Sequence, residues 1–546
     1  MNINFSSITG NIVDVINNKI FAAGIIILDG QIVKIIEISE KCDRYIIPGF
    51  IDSHIHIESS MMPPSEFAKI AVKHGTIAAV CDPHEIANVL GIDGVKYMID
   101  DSKNVPLKFY FGAPSCVPAT CFETSGGNIS SKEIEQLIQL DEIKCLAEVM
   151  NFPGVINDDK ELLEKINIAK KYNKQIDGHA PGLRGKDLEK YINAGINTDH
   201  ECFSYEEAKE KIEKGMKILI REGSAAKNFN ELCTLIDEFP DMIMLCSDDK
   251  HPNDLVKGHI NLLVKEAIKK GIDPIKVLKT VSCNPIKHYD LNIGLLQKGD
   301  SADFIIVDNL NDFNIEEVYV SGNQVYGEGK TNFIVNKPLL VNNFIENKIK
   351  EEDIEIKNNS EKIKVIQAIN NQIITNKIEI TPKVEDEIIK TDLENDILKI
   401  VVVNRYKKEK PAVAFIKGFG LKKGAIASSI SHDSHNIIAV GVNDEDLVEV
   451  INAIFDEKGG IGIVYEKITE ILPLPIAGLM SEIRGEDIAE RYEKIDNTVK
   501  QELESKLDAP FMTLSFMALL VIPSLKISDK GLFDGEKFNI TDLYID

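Results

Sequence analysis

The chain has 546 residues, more than one hydrophobic core organises, so two or three domains are expected. Its 87 acidic against 62 basic side chains give a net charge of −25, which argues against a nucleic-acid backbone as partner, while 44% hydrophobic residues suit a soluble globular chain. The nine cysteines form no CxxC pair, the first residues carry no basic leader, and the apolar run 511–525 is short and broken by Pro523, so the expectation is a reduced, cytoplasmic protein with no membrane partner.

Residues 1–47 alternate in short β-like pieces, with Asp29-Gly30 as a hairpin turn signal. A similar pattern returns near residue 300, and the two flanks together predict a small β-sandwich from 1–47 and 291–345. Between them, 48–290 alternates strand and helix signals. Strands are expected at 50–52, 76–81, 107–111, 145–149, 175–179, 196–200, 217–221 and 242–246, with helices such as 65–74 and 159–172 between them. Eight such units predict a (β/α)8 barrel. The charged, Asn-rich stretch 346–362 reads as a linker, and 363–546 reads as a C-terminal α/β domain.

The barrel segment opens with Pro48-Gly-Phe-Ile-Asp-Ser-His54-Ile-His56-Ile-Glu58. On a strand, residues i and i+2 share a side, so His54 and His56 can reach one ion. The C-terminal ends of the predicted strands carry His54, His56, Asp82, Glu148, His179, His200, Glu222 and Asp248, where barrel enzymes do their chemistry. Imidazoles and carboxylates in such a set suit zinc, manganese or ferrous iron. Glu148 can bridge two such ions, and water held between them becomes a nucleophile near neutral pH. Asp248 can then take a proton and pass it to a leaving group. Taken singly, each has an ordinary explanation. His179 precedes a turn, His200 ends a strand, and Asp248 neighbours Asp249, as helix-capping acids often do. The constellation, not any one residue, carries the signal.

The pattern resembles the amidohydrolase superfamily and, within it, the bacterial-type adenine deaminases. The resemblance covers nearly the whole chain. It rests on the His-x-His segment, Cys81-Asp-Pro-His-Glu, Ala113-Pro-Ser-Cys, Ala147-Glu-Val-Met-Asn, Gly178-His-Ala-Pro-Gly, Thr198-Asp-His-Glu, Arg221-Glu-Gly-Ser, Cys246-Ser-Asp-Asp, Ser431-His-Asp-Ser-His and Pro510-Phe-Met-Thr-Leu. Many members of the superfamily bridge their metals with a carboxylated lysine; the matching position here is Glu148. The resemblance implies that His54, His56 and Asp248 hold one ion and His179 and His200 the other, with Glu148 between. The implied ions are Mn(II) or Fe(II), with Zn(II) also possible. The implied reaction is deamination of free adenine, a purine base, to hypoxanthine and ammonia by a metal-bridged hydroxide, as in purine salvage. Asp248 would shuttle the proton, and Glu58 or Glu201 would protonate the ring or hold a ligand from behind.

Weaker expectations concern substrate contacts. His84 and Glu85 follow the second strand and can reach the substrate or orient ligands. Ser224 and Lys227 lie in a loop at the mouth. His432, Asp433 and His435 fall outside the barrel and close over the site, bind another metal, or form a turn satisfied by polar side chains. The expected assembly is a homo-oligomer, with a dimer favoured. A different amidohydrolase acting on a cyclic amide or N-acyl substrate is an alternative, as is a non-catalytic barrel scaffold, which predicts lost ligands. The zinc deaminases with a Pro-Cys-x-x-Cys element are excluded, because this chain lacks that element.

Overall fold

The computed structural model describes residues 5–545. The chain begins with β1 (Phe5–Asp14), β2 (Lys19–Leu28), β3 (Gln31–Glu37) and β4 (Tyr45–Pro48). Asp29 and Gly30 both take positive φ, 48° and 82°, which is the backbone a two-residue hairpin needs between β2 and β3.

A ring of parallel strands follows: β5 (Phe50–Ile55), β6 (Thr76–Cys81), β7 (Lys108–Ala113), β8 (Ile143–Val149), β9 (Gln175–Gly178), β10 (Thr198–Asp199), β11 (Lys217–Arg221) and β12 (Ile243–Cys246). Helices such as Pro64–Ala71 and Lys160–Lys171 cover the outside, the latter started by Asp159, whose carboxylate accepts from the Leu162 N–H. Strands β5, β6 and β12 are buried along their whole length, as a barrel wall covered on both faces requires. The eight strands form a (β/α)8 barrel written as two ladders, β5 to β9 and β10 to β12.

Between β12 and β5 the ladder is reduced to one parallel bridge, Ile55 with Asp248, where the Asp248 N–H donates to the His54 carbonyl at 3.0 Å. A buried carboxylate supplies what the ladder lacks. Asp52 on β5 accepts from the Ser247 N–H at 3.0 Å and from the Ser247 hydroxyl, and stands 2.8 Å from His259 Nε2. His259 Nδ1 in turn meets the Thr76 hydroxyl at 2.7 Å.

After the barrel, β13 (Phe304–Val307), β14 (Ile315–Val320), β15 (Asn323–Gly327) and β16 (Lys330–Thr331) return to the first sheet. Its strand order is β16-β15-β14-β13-β4-β1-β2-β3, so both flanks build one eight-stranded sheet. The sheet folds back on itself: the Ile32 N–H donates to the Asp300 carbonyl and the Ala302 N–H to that of Gly30, each at 2.8 Å. It encloses a small core of Ile8, Ile12, Ile25, Ile27, Phe304 and Ile306, while Val13, Ile47, Ile305 and Val307 face the barrel.

Residues 346–362 differ from a loose linker. Ile349 and Ile354 are buried against the helix Asp444–Glu457, and Glu351–Asp353 forms a short 3-10 turn. Two apolar side chains in a charged stretch suffice to pack it down. The last domain is a nine-stranded sheet, from Lys362–Ala368 to Tyr544–Ile545, with Asp444–Glu457 on one face. It docks over the C-terminal end of the barrel. The Gly485 N–H donates to Glu66 at 3.0 Å, Tyr492 Oη meets His251 Nδ1 at 2.6 Å, and one hydrophobic core runs through both domains.

The seam yields a test. Asp52→Ala removes the buried acceptor shared by the Ser247 N–H, the Ser247 hydroxyl and His259 Nε2, and the expected loss is about 3–5 kcal/mol in urea unfolding. Native-like unfolding would show that the seam closes without the carboxylate.

Candidate active site

The strand ends converge as their spacing predicts. His54 and His56 project from the end of β5, their Nε2 atoms 3.1 Å apart. His56 Nδ1 lies 3.1 Å from the Asp82 carbonyl, which accepts its N–H and leaves Nε2 with the lone pair, the form that ligates. Asp248 follows β12 in the left-handed region at φ 56°, a conformation aspartate tolerates better than most residues. The turn sets its Oδ1 3.2 Å from His56 Nε2 and 3.8 Å from His54 Nε2. Glu148, from β8, sits at the centre. Its Oε2 is 2.8 Å from His179 Nδ1 and 3.1 Å from His200 Nε2, and its Oε1 is 3.5 Å from His56 Nε2. The six side chains expected to gather are therefore together, all of them buried.

Two neighbours shape the cluster that the strand pattern alone does not show. Arg221, at the end of β11, binds Glu201 through two nitrogens, one at 2.8 Å, and also binds Asp248 Oδ2. Its fork fixes both carboxylates at once. On the outer side, buried Lys211 donates to Asp199 at 2.9 Å, Glu207 at 2.7 Å and the Ala180 carbonyl at 2.8 Å. This holds the backbone on either side of His179 and His200.

The electrostatics follow from burial and opposed charge. Burial raises the Glu148 carboxyl, but the His179 and His200 imidazoles outweigh it and hold the group well below the carboxylate range. Asp248 is likewise low: burial opposes, and Arg221 and His56 prevail. His54 is held well below the imidazole range, by burial first and then by His200 and His56, so it stays neutral. His179 is pushed up to about 9, since Glu201 and Glu148 overcome its burial.

Several groupings of these residues bring ligand atoms within reach of one ion: His54, His56 and Asp248; His54, Glu148 and His200; His179, His200 and Glu201. The donors are imidazole nitrogens and carboxylate oxygens with no thiolate, the set that suits zinc, manganese and ferrous iron. His179 Nε2 is buried with no hydrogen-bond partner among the described residues, the condition of a group awaiting a cation, and His84 Nδ1 and Asp82 Oδ2 face each other beside it at 3.2 Å. A divalent ion or a pair of them fits this site.

A cavity opens above the cluster. Its walls include His84, Glu85, Glu201, Arg221 and Asp249 from the barrel, with apolar Met150 and Ala226. The last domain supplies the remainder: Ile373, His432, Asp433, Phe516, Leu519 and Val521. His84 and Glu85 therefore reach the cavity. Four other expected residues do not line it. Glu58 lies in the 3-10 turn Ile57–Ser60, which swings it behind the cluster, where its Oε1 accepts from the Ile86 N–H at 3.2 Å and burial raises its pKa to about 7. Ser224 turns away to donate to Asp254 at 2.7 Å. Lys227 is half exposed in a neighbouring groove, 4.0 Å from Glu222. His435 stands one layer back, its Nδ1 accepting from the Ser431 N–H at 3.2 Å and its Nε2 bonded to Glu85. Loop direction after a strand decides these positions, and no residue pattern announces it. Arg221, Asp249 and the apolar roof were not singled out from the sequence. A lone arginine at the end of the seventh strand was the available signal for Arg221.

The match to known proteins runs end to end. Residues 45–325 match the amidohydrolase family, and 372–539 match the adenine deaminase C-terminal domain. The chain is 54% identical to an adenine deaminase of Sulfurovum sp. over 534 residues, 97% of this chain and 98% of that one. It is 50% identical to an adenine deaminase of Methanosarcina mazei, covering 98% and 99% of the two chains. Among solved structures it is similar to the beta-aspartyl dipeptidase of Fervidobacterium islandicum, at 16% identity and a TM-score of 0.47, over 61% of this chain and 99% of that one.

Arg221→Lys separates charge from geometry. The charge stays and the fork is lost, and the expected fall in metal affinity or activity is on the order of 10–100-fold. Metal titration and turnover at native levels would reduce Arg221 to a simple counter-charge.

Proposed function

We propose, from the premise that this chain belongs to the amidohydrolase family and within it to the adenine deaminases, that it hydrolyses the exocyclic C6–N bond of adenine, adding water and releasing hypoxanthine and ammonia. The observation that carries this reading is the match to adenine deaminases over nearly their whole length, last domain included. A non-catalytic scaffold predicts missing ligands, and none of the six is missing.

The family is metal-dependent. His54, His56 and Asp248 would hold one cation, His179 and His200 the other, with Glu148 shared between them. Divalent ions held there acidify a water molecule and so supply a nucleophile near neutral pH. Mn(II) or Fe(II) are the ions proposed, with Zn(II) as the third choice, as the resemblance to adenine deaminases implies; the nitrogen and oxygen donors accommodate all three.

The chain's own groups do the remaining work. Asp248 takes the proton of the attacking water through the oxygen that Arg221 does not hold, and returns it to the departing amine. Arg221 keeps that carboxylate aimed while doing so. Glu201 borders the cavity beside His179 and His200 and, as the protonated acid, would donate its hydrogen to the ring nitrogen on which negative charge develops. Glu58 stands outside the cavity and is not proposed to touch the ring. Met150, Ile373, Phe516, Leu519 and Val521 offer apolar surface to the faces of a purine and keep bulk water from the reacting carbon. Nine unpaired cysteines suit a reducing cytoplasm as the site of action.

Ammonia release from adenine measures the function. Enzyme stripped by a chelator is expected to be inactive and to regain turnover with Mn(II) or Fe(II). Glu148→Gln is expected to retain less than two ions per chain in metal analysis; two retained ions would remove Glu148 from its shared position. Asp248→Asn is expected to lose turnover by at least about 100-fold, the range of a lost general acid–base group, with the fold intact by circular dichroism. Near-native rates would assign the proton transfer elsewhere.

A further inference from the structure

We propose that the last domain reads the substrate: the Asp433 carboxylate accepts the ring N–H of the five-membered half of the purine, and so selects the free base over purines substituted at N9. This rests on the adenine reading above and adds the residue that recognises the far edge of the ring.

The turn that carries Asp433 is tied to the barrel. His435 accepts from the Ser431 N–H through Nδ1, so its Nε2 bears the hydrogen and donates to Glu85. His432, two residues before Ser434, is fixed by its N–H donating to the Ser515 hydroxyl at 3.2 Å, and its Nδ1 lies 3.3 Å from Glu85. Asp433 is thus presented by its neighbours rather than engaged by them. It is 3% exposed, it borders the cavity, and its Oδ2 has no hydrogen-bond partner among the described residues.

Its position matches the length of the substrate. His84 separates Asp433 from the metal-ligand cluster. The Asp433 Oδ1 is 3.7 Å from His84 Nε2, and the other ring nitrogen of that imidazole, Nδ1, is 3.5 Å from Glu148 Oε1. Asp433 therefore stands one aromatic ring and two contacts from Glu148. A fused bicyclic base whose amine-bearing carbon lies over Glu148 extends its five-membered ring in that direction. Ile373, Phe516 and Leu519 flank the path.

The chemistry is selective. An ionised carboxylate only accepts hydrogen bonds. Free adenine carries a single N–H on its five-membered ring, and a substituent at N9 replaces it. A buried carboxylate left without a donor is costly, so an analogue without that hydrogen is rejected more strongly than its shape alone explains.

The test compares adenine with 9-methyladenine on metal-loaded native enzyme, Asp433→Ala and the isosteric Asp433→Asn. 9-Methyladenine is measured as a substrate, or as a competitive inhibitor of adenine turnover where it is not deaminated. For Asp433→Ala the KM for adenine is expected to rise about 10–100-fold, the effect of losing one hydrogen bond to a charged group, with kcat changed less. The KM or inhibition constant of 9-methyladenine is expected to fall, because no buried carboxylate is then left without a donor, so the preference for the free base collapses. Asp433→Asn should fall between, since its amide oxygen still accepts, and it serves if the alanine variant does not fold. Equal losses for both compounds, or an unchanged KM for adenine, overturn the proposal and leave Asp433 a structural partner of His84. Native enzyme that releases no ammonia from adenine sinks the adenine reading and this one together; failure confined to the selectivity ratio sinks this one alone.

Discussion

Buried carboxylates in the mouth of the barrel must have cations, and most of the surrounding structure answers that requirement. Glu148, Glu201, Asp248, Asp249, Glu85 and Asp82 are all removed from water. Even after relaxation such a group costs several kcal/mol to bury without a partner. The sequence places His54, His56, His179, His200, Arg221 and the last domain's His432 and His435 around these acids. Imidazole is the partner of choice, because it neutralises by gaining a proton and ligates by losing one. Binding of divalent ions and protonation of these histidines are therefore competing answers to one electrostatic demand. The neutral His54 and the charged-leaning His179 mark the two ends of that balance.

The second constraint is water. A barrel mouth built of short loops stays open, and an open site screens its own charges. Here the covering surface comes from far along the chain: Ile373 from the first hairpin of the last domain, Asp433 from its central turn, Phe516 from the end of the helix Pro510–Phe516, and Leu519 and Val521 from the segment after it. The same domain docks through Glu66, His251 and a continuous apolar core. The closing surface is thus part of the folded body and needs no separate lid. Its polar members face Glu85, Asp249 and His84, so the last domain completes both the charge pattern and the enclosure.

Much of this was legible in the sequence, for reasons that differ by residue. His54 and His56 were legible because a strand has a period of two, and the eight barrel strands because apolar runs alternated with helical periodicity. Glu148, His179, His200 and Asp248 followed from sitting at strand ends. Ser224 and Lys227 do not reach the cavity because a turn directs a side chain through φ and ψ values that composition does not encode, and the same geometry leaves Glu58 with the second of its two expected places, behind the cluster. Ile349 and Ile354 were hidden in a stretch whose charges dominate any average. Arg221 gave little sign, because an arginine reads the same in sequence whether it faces water or two buried acids. Asp433 lies 185 residues beyond Asp248, and although its place over the site was one of the readings open, no periodicity links positions on two different sheets.

Fold closure and chemistry meet in one short peptide. Strand β12 ends at Cys246, Ser247 binds Asp52 across the seam, and Asp248 pairs with the His54 carbonyl before its backbone enters the left-handed region. The bond that completes the barrel is therefore made by the residue whose side chain faces His54 and His56. A backbone held in that region costs free energy for any residue but glycine, and it persists because the surrounding bonds over-determine it. Glycine would relax the strain and lose the carboxylate. A residue without a charge would keep the bridge and leave Arg221 with one partner in place of two. The position accepts aspartate because one side chain satisfies the turn, the guanidinium and the histidine pair together. Closure of the barrel and the geometry of the candidate site therefore depend on the same residue.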